Sequence, residues 1–476
     1  MVRLPEATKF YIDGEWRAPD SSETAPLINP ATETEIGHVA LGNTNDANDA
    51  VAAAKCAFPG FSKTSVAERI DLLKAINDQF KKRKDEIANA VHQTMGAPIE
   101  LANSAQAGSG LQHFGEIIKV LETFEFETPM GTTMVRKEPI GVCALITPWN
   151  WPVNQIATKV APALAAGCTM VLKPSEYTPL DAILLTEILH DVGVPKGVFN
   201  LVTGTGAQVG AHLCAHPDID FVSFTGSTRA GMAIGAAGAK DIKRVALELG
   251  GKSACILLDD ANYQEAVPAA VKGVMLNSGQ SCNAAARILA PRGAYEEICN
   301  IAKETANALT LGPEGYLGPV ANAIQFEKVR DYIKIGLSEG ARLIAGGADR
   351  PSDKPKGYYV SPTVLADVAP GSTLDREEIF GPVLTITPYD SIAEAIEIAN
   401  DSEYGLSGAV WSNNHQKACE VASALRTGMV HINGSGLDAS APFGGYKKSG
   451  NGREWGVYGL EEFLELKSVY GGAAEI

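Results

Sequence analysis

At 476 residues the chain exceeds what one hydrophobic core usually supports, so it divides into two or more domains. It is 45% hydrophobic and 20% charged, and its formal net charge of -16 excludes a nucleic-acid or anionic-membrane surface, which needs clustered Lys and Arg. The eight cysteines, at 56, 143, 168, 214, 255, 282, 299 and 419, include no Cys-x-x-Cys pair, which argues against a zinc site and, in a chain this long, against disulfides.

The N-terminal stretch Met1-Val2-Arg3-Leu4-Pro5-Glu6 lacks the apolar core of a secretory leader, and no run approaches a membrane span. The expectation is a cytoplasmic protein with free thiols. Phe10-Tyr11-Ile12-Asp13-Gly14-Glu15-Trp16 sets Asp-Gly between apolar flanks, a hairpin signal. Ser65-Val66-Ala67-Glu68 is a capping box that opens an amphipathic helix through Ile70, Leu73, Ile76 and Phe80, stopping near Gly96-Ala97-Pro98. His92 and His113 read as packing or surface residues. Around Pro129-Met130-Gly131, the stretches 123–127 and 131–135 alternate like two strands, a hairpin with an exposed edge that pairing with another subunit would satisfy.

From 142 to 258, short β-rich runs at 142–146, 169–172, 198–202, 220–224 and 245–247 each lead through a Gly/Pro/Ser turn into a helical segment. This alternation implies an α/β fold with a parallel sheet, whose ligands bind at the carboxyl ends of the strands. After the first run, Asn150 stands between two Trp and two Pro; its amide either stabilises an oxyanion or caps a tight turn. After the second, Lys173 and Glu176 either bracket the ribose of an adenosine, the acid favouring NAD over NADP, or form an exposed ion pair. Gly204-x-Gly206-x-x-x-Gly210 is one residue too long for the dinucleotide fingerprint, and Gly226-Ser227 opens a helix whose free N–H groups suit a pyrophosphate. Glu248, flanked by leucines and followed by Gly250-Gly251, has the semi-buried setting of a general base with a raised pKa.

The polar turn Asn277-Ser278-Gly279-Gln280-Ser281-Cys282-Asn283 follows an Ala/Val-rich helical run. A thiol there can be reached by substrate and activated by neighbouring dipoles, whereas a cysteine within an apolar run only fills space.

Together, Pro148-Trp149-Asn150, Lys173-Pro174-Ser175-Glu176, Gly226-Ser227-Thr228, Leu247-Glu248-Leu249-Gly250-Gly251 and Gly279-Gln280-Ser281-Cys282 resemble, in order and spacing, the motifs of the NAD(P)-dependent aldehyde dehydrogenase superfamily. Glu377-Glu378-Ile379-Phe380-Gly381-Pro382-Val383 and the stretch from Pro442 to Gly450 look like two further signatures, so the resemblance spans essentially the whole chain. It implies Cys282 as nucleophile, Glu248 as general base, and Asn150 with the Cys282 N–H as oxyanion hole. On the cofactor side it implies Lys173 and Glu176 at the adenosine ribose, Gly226 and Ser227 at the pyrophosphate, Glu378 at the nicotinamide ribose and Phe380 near the ring, with Trp149 and Gly206 alongside. Trp151, Gln155, Thr158, Ser281, Asn283 and Leu437 correspond to the aldehyde channel; one aromatic among several small or polar residues favours a small or polar aldehyde.

The resemblance further implies a Rossmann-like NAD-binding domain (1–119 and 139–250), an α/β catalytic domain (251–448) and a β-hairpin oligomerisation element (120–138 and 449–476) in a homodimer or homotetramer. The implied reaction is oxidation of an aldehyde to its acid through a thiohemiacetal and then a thioester on Cys282, hydrolysed by water that Glu248 deprotonates. A CoA-acylating enzyme, which typically lacks an acid at that position, is the alternative, together with a cofactor-independent esterase or a structural role.

Overall fold

The computed structural model describes residues 4–473. The first three residues of the stretch read for a leader, and the last three of the 449–476 segment, lie outside them. Each β-rich run forms a strand within a residue or so of its expected bounds: Val142–Ile146, Thr169–Lys173, Phe199–Leu201, Phe221–Thr225 and Arg244–Glu248. All five pair in parallel, in the spatial order 199–201, 169–173, 142–146, 221–225, 244–248. The chain starts in the middle, builds outward to one side, then returns to build the other. The switch point therefore falls between Val142–Ile146 and Phe221–Thr225, and the turns after these two strands, Thr147 to Asn150 and Gly226-Ser227, open onto the crevice where such sheets bind ligands.

The N-terminal hairpin extends one edge of this sheet, with Phe10–Ile12 turning through Asp13 (φ 54°) and Gly14 (φ 78°) into Glu15–Arg17. At the other edge Gly450–Asn451 pairs antiparallel with Arg244–Glu248, so the C-terminal segment first contributes to this sheet before reaching the hairpin. Helix Pro152–Ala166 runs behind the crevice with Pro152 in its first turn and Gly167 (φ 91°) ending it. It is buried all round except at Asn154, and its five alanines let the sheet and helix Ala107–Thr123 approach closely.

The second sheet has six parallel strands, with Arg342–Ala345 antiparallel at one edge, and is built from residues that follow 251. Its strand Arg287–Pro291 is tied to the crevice by Arg287, whose Nε donates to the Lys252 carbonyl at 3.0 Å and whose Nη1 meets Asp375 Oδ1 at 2.7 Å. Lys252 directly follows the Gly250-Gly251 turn, so this buried ion pair anchors that turn.

Two expectations shift. The capping box at Ser65 and Glu68 forms in both directions, but its helix ends at Lys82, and a second helix, Lys84–Met95, runs to Gly96 in the left-handed region. The hairpin consists of Glu127–Met130 and Thr133–Pro139, because helix Ala107–Thr123 takes the first residue of the expected strand and 124–126 connect the helix to the hairpin. Apolar residues at Phe114, Ile117, Ile118 and Leu121 carry that helix's buried face with a 3.6-residue period up to its end. Strand Leu464–Val469 pairs with Thr133–Pro139 to complete a three-stranded sheet. Among the described residues no helix is long and apolar enough to cross a membrane.

Asp375→Ala strands the Arg287 guanidinium in the interior and is expected to cost about 3–5 kcal/mol of stability. Denaturant unfolding checks this; a midpoint indistinguishable from wild type would show that the pair does not anchor the turn.

Candidate active site

Two cavities meet at Cys282. One, of about 630 Å³, is lined by Trp151, Gln155, Ser281, Asn283 and Leu437, and also by His113, Trp411, Phe443 and Trp455. The other, of about 110 Å³, is lined by Trp149, Asn150, Gly226, Ser227, Glu248, Glu378 and Phe380. Among the described residues Cys282 is the single one common to both walls, so its thiol joins a roomy chamber to a small one bordered by the carboxylates of Glu248 and Glu378.

The turn that presents Cys282 is tightly constrained. Asn277, Ser278 and Gly279 are all left-handed (φ 54°, 55° and 72°), and a Cβ on Gly279 would lie 1.9 Å from the Gly381 carbonyl oxygen. The Asn150 amide is buried and donates to the Gln280 carbonyl at 2.9 Å, fixing it beside the thiol. A primary amide carries two N–H donors, so one remains for a reacting oxygen. Capping a turn is thus only part of what this side chain does.

Activation by dipoles is not what surrounds the thiol. Burial, then the carboxylates of Glu378, Glu248 and Glu454, push the Cys282 pKa up, against one favourable bond from the Asn283 N–H. The resting thiol is protonated. Glu248 ends its strand 4% exposed, and neither of its carboxylate oxygens accepts a hydrogen bond from the described residues. Its pKa is raised well above the carboxylate range, by burial first and by the Glu454 charge second, while Lys159 and Arg453 oppose the shift. Lys159, fully buried, donates 2.5 Å to Glu454 Oε1 and 3.0 Å to Ser223 Oγ. The sequence offered no hint of this pair, because its members lie on a buried helix and beyond the last recognised motif.

On the cofactor side, Lys173 is 3% exposed and donates to the carbonyls of Pro174 (2.8 Å) and Gly204 (2.7 Å), with Glu176 3.6 Å away. It is no surface ion pair; its charge is held rigidly at the strand end. Ser227 caps helix Thr228–Gly238, accepting from the Ala230 N–H. Gly206 starts a π-helical turn capped by Thr205, and a Cβ there would meet open space. Glu378 accepts from the Gly251 N–H at 3.0 Å, and a Cβ on Gly250 would strike its carboxylate at 2.5 Å. Phe380, left-handed at φ 61°, stands edge-on to Trp149 with ring centroids 5.5 Å apart. A cradle kept open by glycines, the orphaned hydroxyl of Thr225 and a carboxylate at each end suit a dinucleotide with two riboses and a flat ring.

In the larger cavity the Trp151 indole donates to Ser281 Oγ at 2.8 Å, fixing one wall. Leu437, 48% exposed, stands at the mouth. Thr158 is not on this wall: it lies a turn beyond Gln155, buried, with its hydroxyl donating to the Gln155 carbonyl. His113, read as a packing or surface residue, packs in the wall, buried, with its ring 5.0 Å from that of Trp455. Burial holds its pKa down to about 4, so the imidazole is neutral. The aromatic residues at 411, 443 and 455 add bulk to a wall whose expected positions held one aromatic; they come from chain segments far from the channel positions read from sequence.

The profile of the aldehyde dehydrogenase family matches residues 16–469. A 3-succinoylsemialdehyde-pyridine dehydrogenase from Pseudomonas is 54% identical over 97% of this chain and 98% of its own. Among solved structures, a cysteine-to-alanine mutant of aldehyde dehydrogenase C from Pseudomonas syringae, complexed with NAD+ and octanal, superposes with a TM-score of 0.98 at 48% identity, covering 99% of both chains. An aldehyde dehydrogenase of Mycobacterium tuberculosis complexed with NAD+ superposes with a TM-score of 0.96 at 38% identity, covering 98% of this chain and 99% of that one.

If Glu248 is the base, turnover rises with pH through its raised pKa. Glu454→Gln removes the like charge and frees the Lys159 ammonium, and both changes favour ionised Glu248, so the rising limb of the kcat profile moves to lower pH. A limb that stays in place would separate Glu248 from the titration.

Proposed function

Because this chain belongs to the aldehyde dehydrogenase family and oxidises aldehydes with NAD, we propose that Cys282 is its nucleophile, Glu248 its general base and Asn150 its oxyanion donor. The observation that carries this reading is the position of Cys282 as the one residue shared by the two cavities. Aldehyde enters from the aromatic chamber, and the sulfur bonds to the carbonyl carbon as the thiol proton passes to a nearby carboxylate. The free N–H of Asn150 and the backbone N–H of Cys282 take the oxygen that becomes negative. NAD, when bound, supplies the hydride acceptor. Lys173 and Glu176 would hold the adenosine ribose, Gly226 and Ser227 the pyrophosphate with Gly206 nearby, Glu378 the second ribose, and Phe380 and Trp149 the nicotinamide. Cys282 then carries an acyl thioester, and Glu248 takes the proton of the water that cleaves it, without coenzyme A.

The substrate is a neutral aldehyde with a bulky, aromatic or long apolar body. A chamber of about 630 Å³ exceeds what a short aliphatic aldehyde fills. Among the described residues no Lys or Arg lines it, and the one acid on its wall, Glu454, is already paired to Lys159, so a carboxylate-bearing semialdehyde would enter without a counter-charge. The names of two relatives agree with such a body: one acts on a pyridine-bearing semialdehyde, the other was solved with octanal. Self-association through the three-stranded sheet accompanies this reading, because Leu466 and Met130 on it are 72% and 67% exposed. Sedimentation velocity would then give a dimer or tetramer; a monomer at micromolar concentration would contradict it.

Following NADH formation over a panel of aldehydes tests the substrate class. Aryl and six- to eight-carbon aldehydes are expected to exceed an acidic semialdehyde by at least about tenfold in kcat/KM, with no need for coenzyme A. Gly273, on the chamber wall, has open space where a Cβ would go, so Gly273→Leu should raise KM for bulky aldehydes and spare short ones. Preference for the acidic semialdehyde, or turnover only with coenzyme A, would overturn the assignment.

A further inference from the structure

Helix Ala107–Thr123 is preceded by a π-helical turn, Ala102–Gln106, and the extra residue in such a turn re-aims the side chains around it. Gln106, 0% exposed, is the side chain so placed. Its Nε2 donates to the Asn150 carbonyl at 3.1 Å and to Asn277 Oδ1 at 3.2 Å. Asn277 Nδ2 donates in turn to the Asn150 carbonyl at 2.9 Å and to the Gln280 carbonyl at 3.3 Å, the same oxygen that receives the Asn150 amide. Three side-chain amides thus close a ring around two backbone carbonyls, one from each half of the crevice. Gln280 adds an outer brace, donating to the Asn277 carbonyl and accepting from the Ala321 N–H.

The ring explains how a left-handed pair of non-glycine residues, Asn277 and Ser278, persists in a buried turn: its polar groups are satisfied only in that conformation. It also fixes the two donors assigned to the oxyanion. The Asn150 backbone cannot shift without breaking bonds to Gln106 and Asn277, and the Gln280 carbonyl, two residues before Cys282, is pinned by the same contacts. Gln106 touches neither cavity, so it acts through its neighbours.

We propose that Gln106 is a positioning residue of this enzyme, holding the Asn150 amide and the Cys282 backbone N–H in register across the crevice. The proposal rests on the assignment of Cys282 and Asn150 made above. An oxyanion site displaced by a fraction of an ångström loses rate without losing ground-state binding.

The test compares Gln106→Met, Asn150→Ala and the double variant in two reactions: aldehyde oxidation, and NAD-independent hydrolysis of an activated aryl ester. Gln106→Met keeps the side-chain length and removes the donor. It is expected to lower kcat about 10- to 100-fold in both reactions, with KM for aldehyde and NAD binding within about twofold of wild type. In the Asn150→Ala background the same substitution should cost little more, since the group it positions is gone. Unchanged kcat, a loss confined to KM, or multiplicative losses in the double variant would overturn the role. If Gln106→Met does not fold, Gln106→Asn, which draws the amide back by one methylene, replaces it with the same expected outcomes. Retained oxidation in Cys282→Ala would instead overturn the underlying assignment, independently of Gln106.

Discussion

The hydrogen bond from the Asn150 amide to the Gln280 carbonyl joins the two halves of the molecule where the chemistry occurs. Asn150 belongs to the turn after the first parallel strand, and Gln280 to the turn of the second half that presents the thiol. Each turn alone is a poor structure: one hangs between prolines and tryptophans, the other runs through three left-handed residues. Docked together they satisfy each other's polar groups, with Gln106 and Asn277 completing the ring. Buried amides that share donors and acceptors in this way specify one geometry, which an apolar contact of equal area would not.

Around that fixed point the electrostatics are arranged against ionisation at rest. Burial first, and the charges of Glu378 and Glu454 after it, hold the Cys282 pKa up, and burial with Glu454 does the same for Glu248. A protonated thiol and a protonated acid tolerate a dry crevice, where an isolated thiolate or carboxylate would be costly. The Lys159–Glu454 pair sits at the boundary, its carboxylate on the chamber wall and its ammonium among buried helices, and sets how readily Glu248 gives up its proton.

Much of this was legible in the chain. The parallel strands were readable because each run is apolar throughout and bounded by Gly, Pro or Ser, and the cofactor residues follow strand ends in a fixed order. Glu248 and Cys282 stood out as functional types in turns. What escaped was whatever depends on three-dimensional convergence. Gln106 sits among Ala, Gly and Ser in a helical stretch, where a π-helical turn leaves no compositional mark. Lys159 lies in an Ala/Val-rich stretch that gives no sign of a partner, and only the packing of Glu454 against it shows one. The sequence favoured a small or polar aldehyde on six positions with one aromatic, of which Thr158 lies behind the wall, whereas the further aromatic bulk comes from residues 411 to 455 and from His113.

The central claim is that acyl transfer passes through Cys282 and is resolved by Glu248. The most direct measurement is peptide mass spectrometry of Glu248→Gln quenched during reaction with NAD and a neutral aryl aldehyde. The account predicts an acyl adduct, labile to hydroxylamine, on the peptide carrying Cys282, accumulating because its hydrolysis has lost its base. Absence of an adduct with turnover intact, or an adduct on another residue, would contradict it.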